Sequence, residues 1–179
     1  LIDSQRGGGG TELLPALEKA LALPRSESTA RSVVVVTDGY VEVEREAFDL
    51  IRSSLGRANL FAFGIGSSVN RYLIEGMARA GAGEPFIVTN SDDAVATVAR
   101  FTRYIGTPAL TGIRLSFEKF SAYAVEPIQV PDVLAERPVV VFGKWRGEPR
   151  GAIRLTGYTG SERYDVSVPV DPAKADPEN

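Results

Sequence analysis

Apolar residues along this chain follow a helical period in its first half and a period of two in its second. Leu13, Leu14, Leu17, Ala20 and Leu21 predict an amphipathic helix. Thr11 reads as its N-cap, with Glu12 in the first turn. Pro15 falls in that turn, where a missing N–H costs least, and Pro24 marks the exit. Val33 to Val36 is a short β-branched run of the kind found in parallel strands covered on both faces, and it ends in the turn signal Thr37-Asp38-Gly39. The next helix places Ala47, Phe48, Ile51 and Leu55 on one face, and Asn59 to Gly64 reads as a second strand. Ser67, Ser68 and Asn70 offer caps for a helix carrying Leu73, Ile74, Met77 and Ala78, and Pro85 to Thr89 reads as a third strand. Ser91 is the expected cap of a last helix, with Asp92 and Asp93 complementing its dipole and Ala94, Val95, Val98, Phe101 and Ile105 forming its apolar face.

Strands alternating with helices imply right-handed crossovers and a parallel sheet. Gly106-Thr107-Pro108 punctuates the chain. From there Ile113, Leu115 and Phe117 alternate with polar residues, as do Ile153 and Leu155, and then Tyr164, Val166, Val168 and Val170. Val139 to Phe142 reads as a compact strand, and turns are expected at Trp145 to Pro149 and at Thr159-Gly160-Ser161. Trp145, in the first of these turns, is expected to pack on the neighbouring sheet. Pro169 argues that the last strand lies on an edge. The expected fold class is therefore α/β: a partial doubly wound, Rossmann-like parallel sheet over residues 1–107, a small antiparallel β-rich module over 108–171, and a disordered tail over 172–179.

Composition narrows the chemistry. Of 179 residues, 44% are hydrophobic and 24% charged, which is ordinary for a chain with a packed core. The net charge of −3 gives no electrostatic reason to expect nucleic acid or an anionic membrane as partner. No apolar run approaches the roughly 20 residues that span a bilayer. Cys and His are both absent, which removes disulfides, thiolate chemistry, the Ser-His-Asp triad and nearly all zinc sites. Any metal must be held by oxygen, so Mg2+, Mn2+ or Ca2+ are the candidates. The start, Leu1 to Arg6, has no signal-peptide pattern and no initiator Met, so the chain is expected to begin inside a longer protein.

Two loops carry the remaining chemistry. Gly9-Gly10-Thr11-Glu12 enters a helix, and Thr37-Asp38-Gly39 leaves a strand. Loops at the carboxyl ends of parallel strands form the ligand crevice of such sheets, and a hydroxyl meeting a carboxylate there makes a hard cation site. Taken alone, Asp38-Gly39 is an ordinary turn and Thr11 an ordinary cap. Gly64-Ile65-Gly66 lacks the third glycine of a dinucleotide fingerprint, because Val69 stands in its place, and reads as a tight turn. Glu42, Glu44 and Glu46 read as a solvated loop and helix start.

The succession Gly-Gly-Thr-Glu-Leu-Leu-Pro-Ala-Leu (9–17), Val-Val-Val-Val-Thr-Asp-Gly (33–39), Phe-Ala-Phe-Gly-Ile-Gly-Ser-Ser-Val-Asn (61–70) and Leu-Ile-Glu-Gly-Met-Ala (73–78) resembles von Willebrand factor type A domains. The variant it is most similar to is that of inter-alpha-trypsin inhibitor heavy chains and their bacterial relatives. The resemblance runs from about Gly7 to Ile105, and Val130 to Leu134 and Arg137 to Gly143 resemble the segment that follows the domain in that family. It implies a metal-ion-dependent adhesion site, with Thr11 matching the threonine of its second motif and Asp38 the aspartate of its third. The first motif, Asp-x-Ser-x-Ser, is absent and is expected upstream of Leu1, so the site on this chain is incomplete.

The resemblance implies a non-enzymatic adhesion module acting outside the cytoplasm, in an extracellular or cell-envelope setting. It would grip an acidic residue of a protein ligand through Mg2+ (or Mn2+ or Ca2+). The alternatives are a metal-independent structural or interaction domain, or a magnesium-dependent nucleotide-binding enzyme fragment. In the strand order 3-2-1-4-5-6, Val33 to Val36 is expected to be an exposed edge, through which the chain forms a homodimer.

Overall fold

The computed structural model describes residues 12–24, 29–38, 41–56, 58–119, 121–135 and 137–174, with backbone alone for 91, 92 and 174. Among the described residues of its first half, three strands form a parallel sheet in the order β1-β2-β3: β1 (Ser32–Thr37), β2 (Asn59–Ile65) and β3 (Pro85–Val88). β2 is the middle strand, and every residue from Asn59 to Gly64 is buried. This is why the sequence Asn-Leu-Phe-Ala-Phe-Gly shows no polar alternation, since both of its faces are covered.

The two faces have separate cores. Leu60 and Ala62 of β2 face α1 (Leu13–Leu21), α2 (Glu44–Ser54) and α3 (Arg71–Ala80), which contribute Leu17, Ile51, Ile74 and Met77 among others. Phe61 and Phe63 face the other way, onto Phe86 and α4 (Ser91–Gly106). There Phe63 stacks on Phe86 at 4.5 Å between ring centroids, and the Phe101 ring of α4 meets Phe61 and Phe63 edge-on at 5.1 and 5.2 Å. Edge-on and offset geometries suit the ring quadrupoles and add about 0.5–1.5 kcal/mol per pair beyond burial.

Gly83, in the turn between α3 and β3, is required by close approach. A Cβ there would collide with the backbone carbonyl of Leu60. Arg31 closes the end of α1 by donating to the carbonyls of Ala20 and Leu23.

The second half is antiparallel. β4 (Thr111–Glu118), β7 (Gly151–Thr159) and β8 (Glu162–Val170) form one sheet with β8 at its edge, where Pro169 lies. Its apolar face aligns Leu115 and Phe117 with Leu155 and Ile153, and these in turn with Val166 and Val168. Thr159 pairs with Glu162 across a two-residue turn whose first residue, Gly160, has φ +59, as a type II′ hairpin requires. β5 (Ser121–Glu126) and β6 (Phe142–Arg146) form a separate ribbon.

Residues 131–137 tie the halves together. Leu134 is buried among Phe61, Phe63 and Phe86. Leu110 bridges Val133, and Asp132 accepts from the Gly112 N–H at 3.0 Å. Arg137 donates to the carbonyls of Ala82 and Gly83 and to Glu84 at 3.3 Å.

Several expectations are corrected. α1 starts at Leu13 with Glu12 in the N-cap position, one residue later than expected, and Thr11 lies outside the described residues. The cap of α4 is Asn90, not Ser91, because the Asn90 side chain reaches the Asp93 N–H at 2.9 Å. Val95 and Val98 were expected in the core but are 74% and 57% exposed. The buried side of α4 is rotated toward Phe101, Tyr104 and Ile105, since the aromatic cluster dictates which side meets the sheet. Residues 139–141 form no strand; the strand begins at Phe142 and runs through Trp145, which is 54% exposed and not in a turn. Its turn begins at Gly147, with φ +76. β5 went unread, because Ser-Ala-Tyr-Ala-Val-Glu carries too few large apolar residues to register as alternation. Of the expected tail, Pro172–Lys174 forms a single 3-10 turn, and 175–179 lie outside the described residues.

Candidate functional site

The three parallel strands all end on one edge, and the loops that leave them define the candidate site. Thr37 is the last residue of β1 and pairs in register with Gly64, so Asp38 stands just beyond the sheet. Its side chain is exposed. β2 runs on through Ile65 to Gly66, whose N–H donates to the Val88 carbonyl at 2.8 Å and whose φ of +101 turns the chain outward. Ser67 and Ser68 follow, both exposed.

The helices that start at this edge are anchored by side chains. Asn70 accepts from the Leu73 N–H at 3.1 Å, and its amide donates to Glu44 at 2.7 Å. That second bond ties the first turn of α2 to the first turn of α3. Thr89 donates to Asp93 at 3.0 Å beside the Asn90 cap of α4. α2, α3 and α4 therefore all direct their N-termini, the positive ends of their dipoles, toward the edge where Asp38 lies.

The donor set decides what this edge can hold. Asp38 supplies a carboxylate, and Ser67 and Ser68 supply exposed hydroxyls. Glu44 and Asp93 are already engaged, by Asn70 and Thr89. Mg2+ needs six oxygens in near-octahedral array. Among the described residues no three Asp or Glu side chains gather to form such a cage. Asp38, expected as a metal ligand, is an exposed carboxylate at this edge, and Thr11, its expected companion, lies outside the described residues.

Gly64-Ile65-Gly66 is the end of β2 and the turn after it, and Glu44 opens α2. The link between Glu44 and Asn70 went unread in the sequence, since the two are 26 residues apart and only the fold makes them neighbours. A concavity of about 360 Å³ lies between the far ends of α2 and α3 and the segment 126–131, lined by Leu55, Arg79, Ala82 and Ile128. No described helix is long and apolar enough to cross a membrane.

Comparison with known proteins supplies the context. Residues 1–85 match the family described as von Willebrand factor type A domain. A von Willebrand factor A domain-containing protein of Dictyostelium discoideum is 25% identical over 91% of this chain, and another is 28% identical over 69% of it. Human von Willebrand factor A domain-containing protein 5B1 is 22% identical over 75% of the chain. The chain spans 18%, 13% and 11% of the lengths of these three relatives. Among solved structures, the ArnB paralog VWA2 from Sulfolobus acidocaldarius matches 93% of this chain and 47% of its own, with a TM-score of 0.51 and 18% identity. That likeness shows a shared fold.

Proposed function

We propose, from a first half that matches the von Willebrand factor type A domain family, that the chain is a non-enzymatic protein-binding module whose ligand face is the carboxyl edge of the parallel sheet. The single observation that carries this reading is the placement of Asp38, exposed and just past β1, at the edge where three helices begin. An anionic group of a protein ligand arriving there meets the positive ends of those dipoles. Von Willebrand A domains often bind a metal ion at an adhesion site, and in the proposed site Asp38 and Thr11 each contribute an oxygen ligand to Mg2+ or Mn2+. The ion would supply a bridge to a ligand carboxylate. Asp38 itself holds its carboxylate toward solvent, where a cation can reach it.

Two finer parts belong to the same proposal. One is kinship with the inter-alpha-trypsin inhibitor heavy chain variant, which rests on the motif residues quoted above. The other is adhesion outside the cytoplasm. The test is calorimetric titration of the chain with Mg2+ and Mn2+, beside Asp38→Ala. Saturable heat that Asp38→Ala removes is the expected result. Heat unchanged by Asp38→Ala would sink the metal role of this residue, and absence of any heat would favour a metal-independent interaction domain.

A further inference from the structure

α2 and α3 pack side by side, and one seam joins them from the ligand edge inward. At its top the Asn70 amide donates to the Glu44 carboxylate at 2.7 Å, while the Asn70 side-chain oxygen accepts from the Leu73 N–H at 3.1 Å. Both ends of the Asn70 side chain are thereby committed, which fixes its orientation. Glu44 and Phe48 are four residues apart, so they share a face of α2. One turn below the bond, the Phe48 ring meets Tyr72 edge-on at 5.8 Å and lies against Gly76, where a Cβ would overlap the ring. The rings and the glycine set how closely the helices approach. The hydrogen bond is directional, so Glu44 and Asn70 fix one first turn against the other.

Each of these first turns carries a loop from the ligand edge. After Asp38 the chain returns to the core at Val41 and Val43, just before Glu44. After β2 it is held at Gly66, whose N–H donates to the Val88 carbonyl, and at Val69, which a Cβ on Gly64 would meet at 3.1 Å. Between those two holds stand the exposed Ser67 and Ser68. Glu44 also lies in the first turn of α2, where a carboxylate favours the helix dipole. That charge stabilises α2 alone, whereas the bond to Asn70 reaches α3.

We infer that Glu44 and Asn70 are positioning residues that join the loops leaving β1 and β2 into one ligand-binding unit, so that a cation held at Asp38 is felt at the loop of Ser67 and Ser68. The coupling follows from the bond itself, and its part in binding rests on the ligand edge proposed above.

Amide exchange of the whole chain, read residue by residue by NMR, tests the coupling before any ligand is added. The unmodified chain is compared with Glu44→Ala, Glu44→Gln and Asn70→Asp. Glu44→Ala leaves the Asn70 cap of α3 in place, and Glu44→Gln removes the charge but keeps an acceptor. Asn70→Asp keeps a cap acceptor and sets a second carboxylate against Glu44. Hydrogen-bonded amides report each side: Gly66 and Leu73 for the β2–α3 loop, Ala47 for α2, and Leu60 in the middle strand for global opening. Glu44→Ala is expected to speed exchange at Gly66 and Leu73 roughly tenfold, and Asn70→Asp to do the same at Ala47, with Leu60 unchanged. Glu44→Gln should stay close to the unmodified chain. Adding Mg2+ or Mn2+ should then slow exchange at Gly66 and Leu73 in the unmodified chain and in Glu44→Gln, but not in Glu44→Ala. Unchanged exchange at Gly66 and Leu73 in metal-free Glu44→Ala would overturn the proposal. So would a Glu44→Gln variant that behaves like Glu44→Ala, since the charge on the dipole would then act alone, or metal protection that survives in Glu44→Ala. A chain that shows no response to metal at all would count against the metal reading of Asp38, and the metal-free variants would still decide the coupling.

Discussion

At the scale of single residues, polar side chains on this molecule do local work that spacing in the sequence does not announce. Arg154 grips Asp165 across β7 and β8 with two bonds, 2.8 and 2.7 Å long. The hydrogen bond from Arg154 holds the Asp165 carboxyl below the ordinary aspartate value of 3.8, and the nearby charge of Arg163 adds to the effect. A depressed folded-state value means that this contribution to stability is present above the unfolded value, and it is lost as pH falls through the folded one. Asp165→Asn is therefore expected to cost a small amount of stability at neutral pH and nothing once the medium is acid enough to protonate Asp165 in the folded chain. Denaturant midpoints of both proteins from pH 7 downward check this, and a gap that widens in acid would contradict it. The pair is exposed, so its effect is modest. Neither residue was singled out in the sequence, because the partners lie 11 residues apart and only the hairpin register sets them on neighbouring strands.

At the scale of elements, α4 shows how far periodicity reaches. Its sixteen residues and its start near residue 91 follow from the pattern of apolar positions and from the Asn-Ser-Asp-Asp cluster that precedes them. Which side of the helix is buried does not follow, since Val95, Val98, Phe101 and Ile105 all fit an apolar stripe. The sheet presents Phe61, Phe63 and Phe86, and a ring fills the space between rings better than a valine does, so the helix turns Phe101 inward. Phe101→Ala is expected to destabilise the fold by about 2–4 kcal/mol, somewhat below the range for a fully buried Phe because this one is partly exposed. Val98→Thr should change stability by no more than about 0.5 kcal/mol, as surface substitutions do. Urea unfolding of the two variants decides between this orientation and the one expected from the stripe alone, which would give both substitutions a substantial cost.

At the scale of the whole molecule, the question is how the parallel and antiparallel halves are held together. Arg137 is the centre of that contact, joined by guanidinium bonds to Ala82, Gly83 and Glu84 and flanked by the buried Leu134. Arg137→Ala leaves two backbone carbonyls and a carboxylate without these donors, and a loss of about 1–3 kcal/mol is expected. Arg137→Lys should recover only part of it, because one ammonium cannot span both carbonyls as a planar fork does. Thermal unfolding followed by probes in each half would show the transitions separating in Arg137→Ala; coincident transitions at an unchanged midpoint would mean that the halves are joined by something else.

Much of this architecture was legible in the chain itself. The strands at 32–37, 59–65 and 85–88, the helices between them and the change to antiparallel pairing all come from local periodicity, β-branched runs and turn residues, which act over a few neighbours. The edge position of β8 was also readable, since Pro169 lacks the N–H that a middle strand needs. So was the location of Asp38 at a strand end, which needs only the strand before it. The tertiary structure alone decided the contacts that depend on distant segments: the split of Phe61 and Leu60 between two cores, the side of α4 that is buried, the bond from Asn70 to Glu44 and the reach of Arg137 to the turn before β3. The reason is physical. Periodicity records that a residue must leave water, and long-range packing and hydrogen bonding choose what it meets when it does.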